Sequence, residues 1–251
     1  VDVLSASAMD DKIAWYENNG SESFTAHNIT TNADGAISVY AVDIDGDSDV
    51  DVLSASYGAT INDSKISWYK NNGSESFTDY TITTDVQYAT DVYAIDVDGD
   101  GDMDVLASSY YNDKIHWYEN NGSESFTAHT VATGSNDYHP TCVYAVDVDG
   151  DGDIDVLSGS GEYDKGVFWY ENNGSESFTA HNITTDADGV TAVYAVDMDR
   201  DGDIDVLSGS RAPNGSSTKV VWYENNGSES FTAHDITTSA NNPKSVYAID
   251  L

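Results

Sequence analysis

Four stretches of the chain place five aspartates at alternate positions of a nine-residue segment. They are Asp43, Asp45, Asp47, Asp49 and Asp51; Asp96, Asp98, Asp100, Asp102 and Asp104; Asp147, Asp149, Asp151, Asp153 and Asp155; and Asp197, Asp199, Asp201, Asp203 and Asp205. The fullest form, at 96–104 and 147–155, is Asp-x-Asp-Gly-Asp-Gly-Asp-x-Asp. Like charges a few ångströms apart cost on the order of 1 kcal/mol per pair even in water, so such a turn opens unless a counter-ion neutralises it. A hard divalent cation does this. Calcium takes about six to eight oxygens, and loop positions 1, 3, 5, 7 (through its carbonyl) and 9 would supply most of them. Magnesium, with its stricter octahedron and tightly held waters, suits the loop less well. Glycines at positions 4 and 6 permit the positive-φ backbone that turns the oxygens inward. Two copies deviate: Ser48 replaces the second glycine, and Arg200 replaces the first. The charge of Arg200 is expected to weaken its own loop. A further loop is split between the chain ends, with Asp250 at position 1 and Asp2 at position 9. The expectation is Ca2+ at about four full sites and one split site. The alternative is a solvated acidic hairpin of a salt-adapted protein. An EF-hand does not match, because its twelve-residue loop ends in glutamate and lies between helices.

The elements that hold these loops form a repeat. Trp15, Trp68, Trp117, Trp169 and Trp222 are spaced by 53, 49, 52 and 53 residues. Each precedes a tyrosine and a near-identical stretch, of which Glu17-Asn18-Asn19-Gly20-Ser21-Glu22-Ser23-Phe24-Thr25 is the first copy. Each unit contains four short alternating apolar segments, and the Asn-Gly pair between the third and fourth is a strong hairpin signal. No helical periodicity is evident. Units of about 50 residues with four antiparallel strands predict an all-β, five-bladed β-propeller. A solenoid would need capping repeats, and these ends are ordinary repeat sequence. The segment 247–251 matches 40–44, a first strand, and Val1 to Ser7 matches Val50 to Ser56, a second strand. Pairing the C-terminal strand with the N-terminal three would therefore complete a blade and close the ring, leaving no free edge. The expected organisation is a single propeller domain, 1–251. Its closure blade is 1–31 plus 245–251, and the other blades lie at about 38–84, 91–133, 142–185 and 192–237.

An Asp-x-Asp-Gly-Asp-Gly-x-x-Asp loop between the first and second strands of a blade resembles the FG-GAP or VCBS repeat. That repeat builds integrin α-subunit propellers and occurs in many secreted bacterial proteins. The resemblance extends over all five units. It implies structural calcium at Asp43, Asp45, Asp47, Asp49, Asp51 and their equivalents. It leaves the activity open, because the family includes adhesion domains, lectins and parts of polysaccharide lyases, and a shared fold is weak warrant for a shared function.

Nine basic and 45 acidic side chains give a net charge of −36, which repels phosphate backbones and anionic membrane surfaces. No nucleic-acid partner is expected. No apolar run approaches the roughly 18 residues of a membrane span, so no membrane insertion is expected. The lone cysteine, Cys142, rules out an intrachain disulfide, which is compatible with a secreted or a cytosolic protein. The start at Val1 suggests a mature or excised segment of a larger multidomain protein.

In a four-stranded blade the 1–2 and 3–4 connections share one face, here the aspartate loops and Asn-Asn-Gly-Ser turns. The other face carries the connections that differ among copies. Variable loops on a rigid scaffold are where function concentrates, although loops also drift where nothing constrains them. These loops hold Tyr57, Tyr88, Tyr110, Tyr111, Tyr138 and Tyr163, whose flat apolar rings and polar tips suit sugars or protein partners. Taken singly, each tyrosine is better explained by ordinary packing than by a ligand contact. His139, with Asp137, Tyr138 and Pro140, is the one locally distinctive polar cluster; proton abstraction in a lyase is its less favoured reading. No nucleophile elbow, His/Cys metal cluster or phosphate loop is present, and no enzyme is expected. His27, His129, His181 and His234 share a slot with Tyr80, which argues against a required metal ligand. The expected function is a calcium-stabilised extracellular or cell-surface module for binding or adhesion. A glycan is the first ligand class and an extracellular protein the second. A protein-interaction scaffold is the alternative, and a polysaccharide lyase or glycosidase domain is less favoured.

Overall fold

The computed structural model describes residues 1–60, 62–134, 139–161, 166–211 and 218–250. Nineteen strands form five consecutive antiparallel sheets, with no helix among the described residues. Blade I contains β1 (Val3–Ser7), β2 (Lys12–Asn18) and β3 (Phe24–Thr30). Blade II contains β4 (Ala36–Val42), β5 (Asp51–Ser56), β6 (Lys65–Asn71) and β7 (Phe77–Thr83). Blade III contains β8 (Ala89–Ile95), β9 (Asp104–Ser109), β10 (Lys114–Asn120) and β11 (Phe126–Thr133). Blade IV contains β12 (Pro140–Val146), β13 (Asp155–Ser160), β14 (Val167–Asn172) and β15 (Phe178–Thr184). Blade V contains β16 (Val190–Val196), β17 (Asp205–Arg211), β18 (Thr218–Asn225) and β19 (Phe231–Thr237). This is the expected propeller of five blades, each strand paired with its chain neighbour.

The Trp-Tyr dipeptide explains how the blades stack. Successive strand residues face opposite sides of a sheet, so the tryptophan enters one junction and the tyrosine the other. Trp68 packs with Val92, Val105 and Tyr118 of blade III, while Tyr69 packs with Ile13 of blade I. The same arrangement places Trp117 against Tyr170, and Trp169 against Tyr223. Trp68, Trp117 and Trp169 are at most 1% exposed, so the cores of this protein are its blade junctions.

The closure differs from expectation. Blade I has three strands, and residues 243–250 form no ladder with β1. The C-terminal segment instead follows blade V as a next inner strand would. Thr191 Oγ1 donates to the Pro243 carbonyl at 2.6 Å, Tyr247 lies 4.7 Å from the Tyr194 ring, and Val246 covers Gly209. Thr90 and Thr141 make the same inter-blade bond, to the carbonyls of Pro140 and Val190. Val3, Tyr247 and Ile249 are left exposed, and none of the apolar clusters of the described residues spans blades V and I. The physical reason is that four junctions form between neighbours in the chain, whereas the fifth must join its two ends. Matching residues specify a register but do not supply that entropy.

Candidate functional site

The aspartate loops connect the first and second strands of blades II to V. In each, three carboxylates offer oxygens within 4.8 Å of one another: Asp43, Asp45 and Asp51; Asp96, Asp98 and Asp104; Asp147, Asp149 and Asp155; Asp197, Asp199 and Asp205. These are loop positions 1, 3 and 9. Position 9 is the keystone. Asp51, Asp104, Asp155 and Asp205 are at most 1% exposed. One oxygen of each accepts an N–H across the loop, from Ile44, Val97, Val148 and Met198 at 3.0–3.3 Å. The other oxygen accepts the N–H that ends the third strand, from Asn71, Asn120, Asn172 and Asn225 at 2.7–2.8 Å. Burial raises the carboxyls of Asp104 and Asp155 to about 6 against those hydrogen bonds, so holding them charged costs free energy.

Position 1 gathers the turn. Asp96 accepts the N–H groups of Gly99 and Gly101 at 2.8 and 3.0 Å, and Asp147 those of Gly150 and Gly152 at 2.7 and 3.0 Å. Positions 4 and 6 have positive φ in every copy, including Ser48 at 74° and Arg200 at 68°, where a side chain replaces the glycine. Positions 5 and 7 lie outside the three-carboxylate groups. Asp47, Asp100, Asp151 and Asp201 at position 5 each accept the N–H of position 7 at 2.9–3.0 Å. Asp49, Asp102, Asp153 and Asp203 at position 7 lie against Gly73, Gly122, Gly174 and Gly227, where no Cβ would fit. In these four turns the glycine makes room for this approach as well as adopting positive φ, whereas Gly20 of blade I has positive φ with nothing close to it. The donor set is all oxygen, and Asp43 Oδ1 is buried without a hydrogen-bond partner. Chemically this is a site for a hard divalent cation. In the split loop, Asp2 keeps the position-9 role, accepting the Asn18 N–H at 2.8 Å, while Asp250 is taken by Arg200 at 2.6 Å.

Sequence inspection missed the surroundings of these loops. The glutamate that ends each Asn-Gly-Ser-Glu turn has positive φ in all five copies. Glu176 shares a cavity of about 400 Å3 with Asp98 of the preceding blade, and Glu229 a cavity of about 90 Å3 with Asp149. The only available signal was the recurrence of this glutamate, which the turn itself does not need.

On the opposite face the structure brings Tyr57, Tyr88, Tyr110, Tyr111 and His139 together. Tyr57 stacks on Tyr88 at 5.0 Å, Tyr88 meets Tyr110 at 5.9 Å and Tyr111 at 5.3 Å, and Tyr110 meets His139 at 4.5 Å. The row runs from blade II to blade IV at the mouth of the central cavity. Tyr138, Tyr163 and Asp137 lie outside the described residues.

Two loop positions build the row. The residue just before each first strand adopts positive φ: Gly35 at 67°, Tyr88 at 58°, His139 at 43°, Gly189 at 59° and Asn242 at 59°. Bulky residues are rarely found in that region, and such strain clusters at functional sites. The carbonyls of Gly35, Tyr88, His139 and Gly189 each accept an N–H from the end of the second strand, as Tyr110 donates to Tyr88 at 3.0 Å and Gly161 to His139 at 2.9 Å. The preceding blade fixes the N–H. Ser64 Oγ accepts it from Tyr88 at 2.9 Å, and Asp113 accepts both the N–H of His139 at 3.0 Å and its Nδ1 at 2.6 Å. Gly161 leaves room for the Tyr110 ring, where a Cβ would lie 2.9 Å from it.

Below the row is a cavity of about 840 Å3 among the first strands, with Tyr40, Tyr93 and Tyr144 towards the aspartate-loop end and Arg211 and Lys244 also lining it. Among the described residues Asp91 is the one acidic side chain in its wall, and it breaks the repeat, its equivalents being Ser38, Cys142, Ala192 and Ser245. It accepts Ser38 Oγ at 2.6 Å and the Val143 N–H at 3.0 Å, bracing blades II, III and IV. Burial pushes its carboxyl above the usual range. The nearby Cys142 thiol is raised to about 12, chiefly by burial and then by Asp91, so it is not a nucleophile at neutral pH.

Comparison with known proteins places this geometry. No curated protein matches the chain significantly. Among solved structures it is similar to the fungal Aleuria aurantia lectin, a six-bladed β-propeller described with a novel fucose recognition mode. The two share 12% identity over 96% of this chain and 78% of the lectin, with a TM-score of 0.57. A single-site mutant of that lectin in complex with Fucα1-6GlcNAc gives 13% identity, 96% and 79% coverage, and a TM-score of 0.56. At such identity the likeness concerns the propeller fold. The family model for the FG-GAP-like repeat matches residues 1–54, 45–107, 96–158 and 147–208, so with the repeat extending over most of its length the chain belongs to the FG-GAP-like repeat family.

Proposed function

We propose that the protein is a glycan-binding propeller, acting outside the cell, in which calcium holds the aspartate-loop face and the opposite mouth holds the sugar. The observation that carries this reading is the aromatic row Tyr57–Tyr88–Tyr110–His139, with two of its members held in a backbone conformation that folding alone would give to glycine. Ring faces with polar tips pack against the C–H faces of a pyranose, while the hydroxyls and Asp113 supply directional bonds. The cavity beneath is of the size of small-molecule sites, about 300–1,000 Å3. That a propeller of similar fold is a fucose-recognising lectin supports the ligand class without fixing the sugar.

Calcium would be held by positions 1, 3 and 9 of each loop. When bound, it supplies charge that neutralises the carboxylates and cross-links the strand 1–2 hairpin to the third strand. The chain's own residues do the rest: position 9 joins three backbone segments, and position 1 closes the turn. A glycan array probed with calcium-loaded protein tests the proposal. Specific binding released by the free sugar is expected, and a blank array from a demonstrably folded sample would contradict it.

A further inference from the structure

The four aspartate loops differ in a residue that lies outside them. The third strand carries a glutamate just after its Trp-Tyr pair in four blades: Glu17, Glu119, Glu171 and Glu224. Blade II carries Lys70 there. In blades I, III, IV and V the glutamate pairs across the sheet with a histidine, as Glu119 does with His129 at 2.7 Å and Glu171 with His181 at 2.8 Å. Blade II has Tyr80 in the histidine slot, and Lys70 turns elsewhere. Its ammonium contacts Asp45, position 3 of the adjacent loop, and reaches Glu124 of the next blade's turn at 2.5 Å. At the two following junctions the corresponding pairs, Asp98 with Glu176 and Asp149 with Glu229, line cavities. Lys70 therefore bridges carboxylates whose counterparts elsewhere face open space.

Arg200 shows that a nearby positive charge alone is not enough. Although it sits within a loop, its side chain is 78% exposed and its guanidinium pairs with Asp250. Among the described residues Lys70, outside the loop in sequence, is the cation that touches a member of a three-carboxylate group.

We propose that Lys70 is the built-in counter-ion of the loop at 43–51, making that loop the weak calcium site of the four, by about tenfold or more relative to the loop at 96–104. The inference rests on the calcium reading above. A fixed ammonium supplies one of the two positive charges a divalent ion would bring, and it must be displaced from Asp45 before that carboxylate can coordinate. At the other loops a glutamate near position 3 adds negative charge instead.

The test is the number and affinity of sites in the intact chain, by calorimetric calcium titration with equilibrium dialysis and metal analysis as an independent count. Lys70→Glu, which restores the residue of the other blades, should gain one tight site over wild type. Lys70→Gln should fall between the two, and Glu119→Lys should lose one tight site. Equal affinity of all four wild-type loops, or a Lys70→Glu protein with an unchanged count, would overturn the role of Lys70 while leaving calcium binding intact. A folded wild-type protein that retains no calcium would instead overturn the reading on which the proposal rests. Should Lys70→Glu fold poorly, the Lys70→Gln and Glu119→Lys titrations still decide the matter.

Discussion

The two faces of the propeller use repetition in opposite ways. On the aspartate-loop face blades II to V repeat one set of bonds, with position 9 tying the same three backbone segments four times over. On the other face the same backbone position is glycine in two blades, tyrosine in one, histidine in another and asparagine before the C-terminal segment. Copying is expected where a residue serves the blade itself. Departure at a fixed, strained backbone position is expected where a residue serves something outside the blade. Lys70 qualifies the contrast, since it individualises one member of the copied face.

The largest effect that would sharpen this comparison is removal of divalent cations. Each occupied site at about 100 times its Kd adds roughly 2.7 kcal/mol, and a domain of this size shifts about 2–4 °C per kcal/mol. With four sites occupied, chelation with EGTA should therefore lower the melting temperature by roughly 20–40 °C; an unchanged melt would break the account of that face. Next is Asp104→Ala, which strands the buried N–H groups of Val97 and Asn120. At about 1–3 kcal/mol per unsatisfied group, urea unfolding should show a loss of roughly 2–6 kcal/mol even without calcium. Asp100→Ala at position 5 should cost far less.

A smaller effect separates by pH. Asp104 and Asp155 are raised by burial to about 6, so their contribution is fully present below about pH 3.8 and is lost as pH rises through 6. In EGTA these groups should make the protein melt a few degrees higher at pH 5 than at pH 7. His116, which is 7% exposed, opposes this. Burial, then the Lys114 charge, holds its pKa below 6.5, so its contribution is present above that value and is lost as pH falls. The equivalent residue in blade IV is Phe168. The variant His116→Phe should remove the acid penalty and expose the carboxylate effect in thermal melts, with little change at pH 7.

What was legible in the sequence was what recurs. The Trp-Tyr period located the blade junctions because each residue of the pair fills one side of a sheet. The aspartate spacing located the loops because alternation brings positions 1, 3 and 9 together. What was hidden depends on the third dimension or on a single copy. Lys70 lies about twenty residues from Asp51 and meets its loop only because the sixth strand ends beside it. Asp91 reads as one more aspartate until the strand places it in the channel wall. The aromatic loop residues were identifiable as candidates, but not as one row, and aligning Gly35 and Gly189 with Tyr88 and His139 would have flagged the two strained members. The closure was predicted from matching residues, and matching residues do not bring the chain ends together.

Tyr88→Gly tests the division between the faces most directly. It installs at 88 the residue found at 35 and 189, relieving a positive φ while removing the centre of the aromatic row. Glycan binding and the melting temperature would be measured on the same calcium-loaded samples. The account predicts loss of glycan binding, by tenfold or more (about 1.4 kcal/mol), with a melting temperature unchanged or raised. Full binding by a Tyr88→Gly protein would contradict it, and would remove the sugar from the mouth of the propeller.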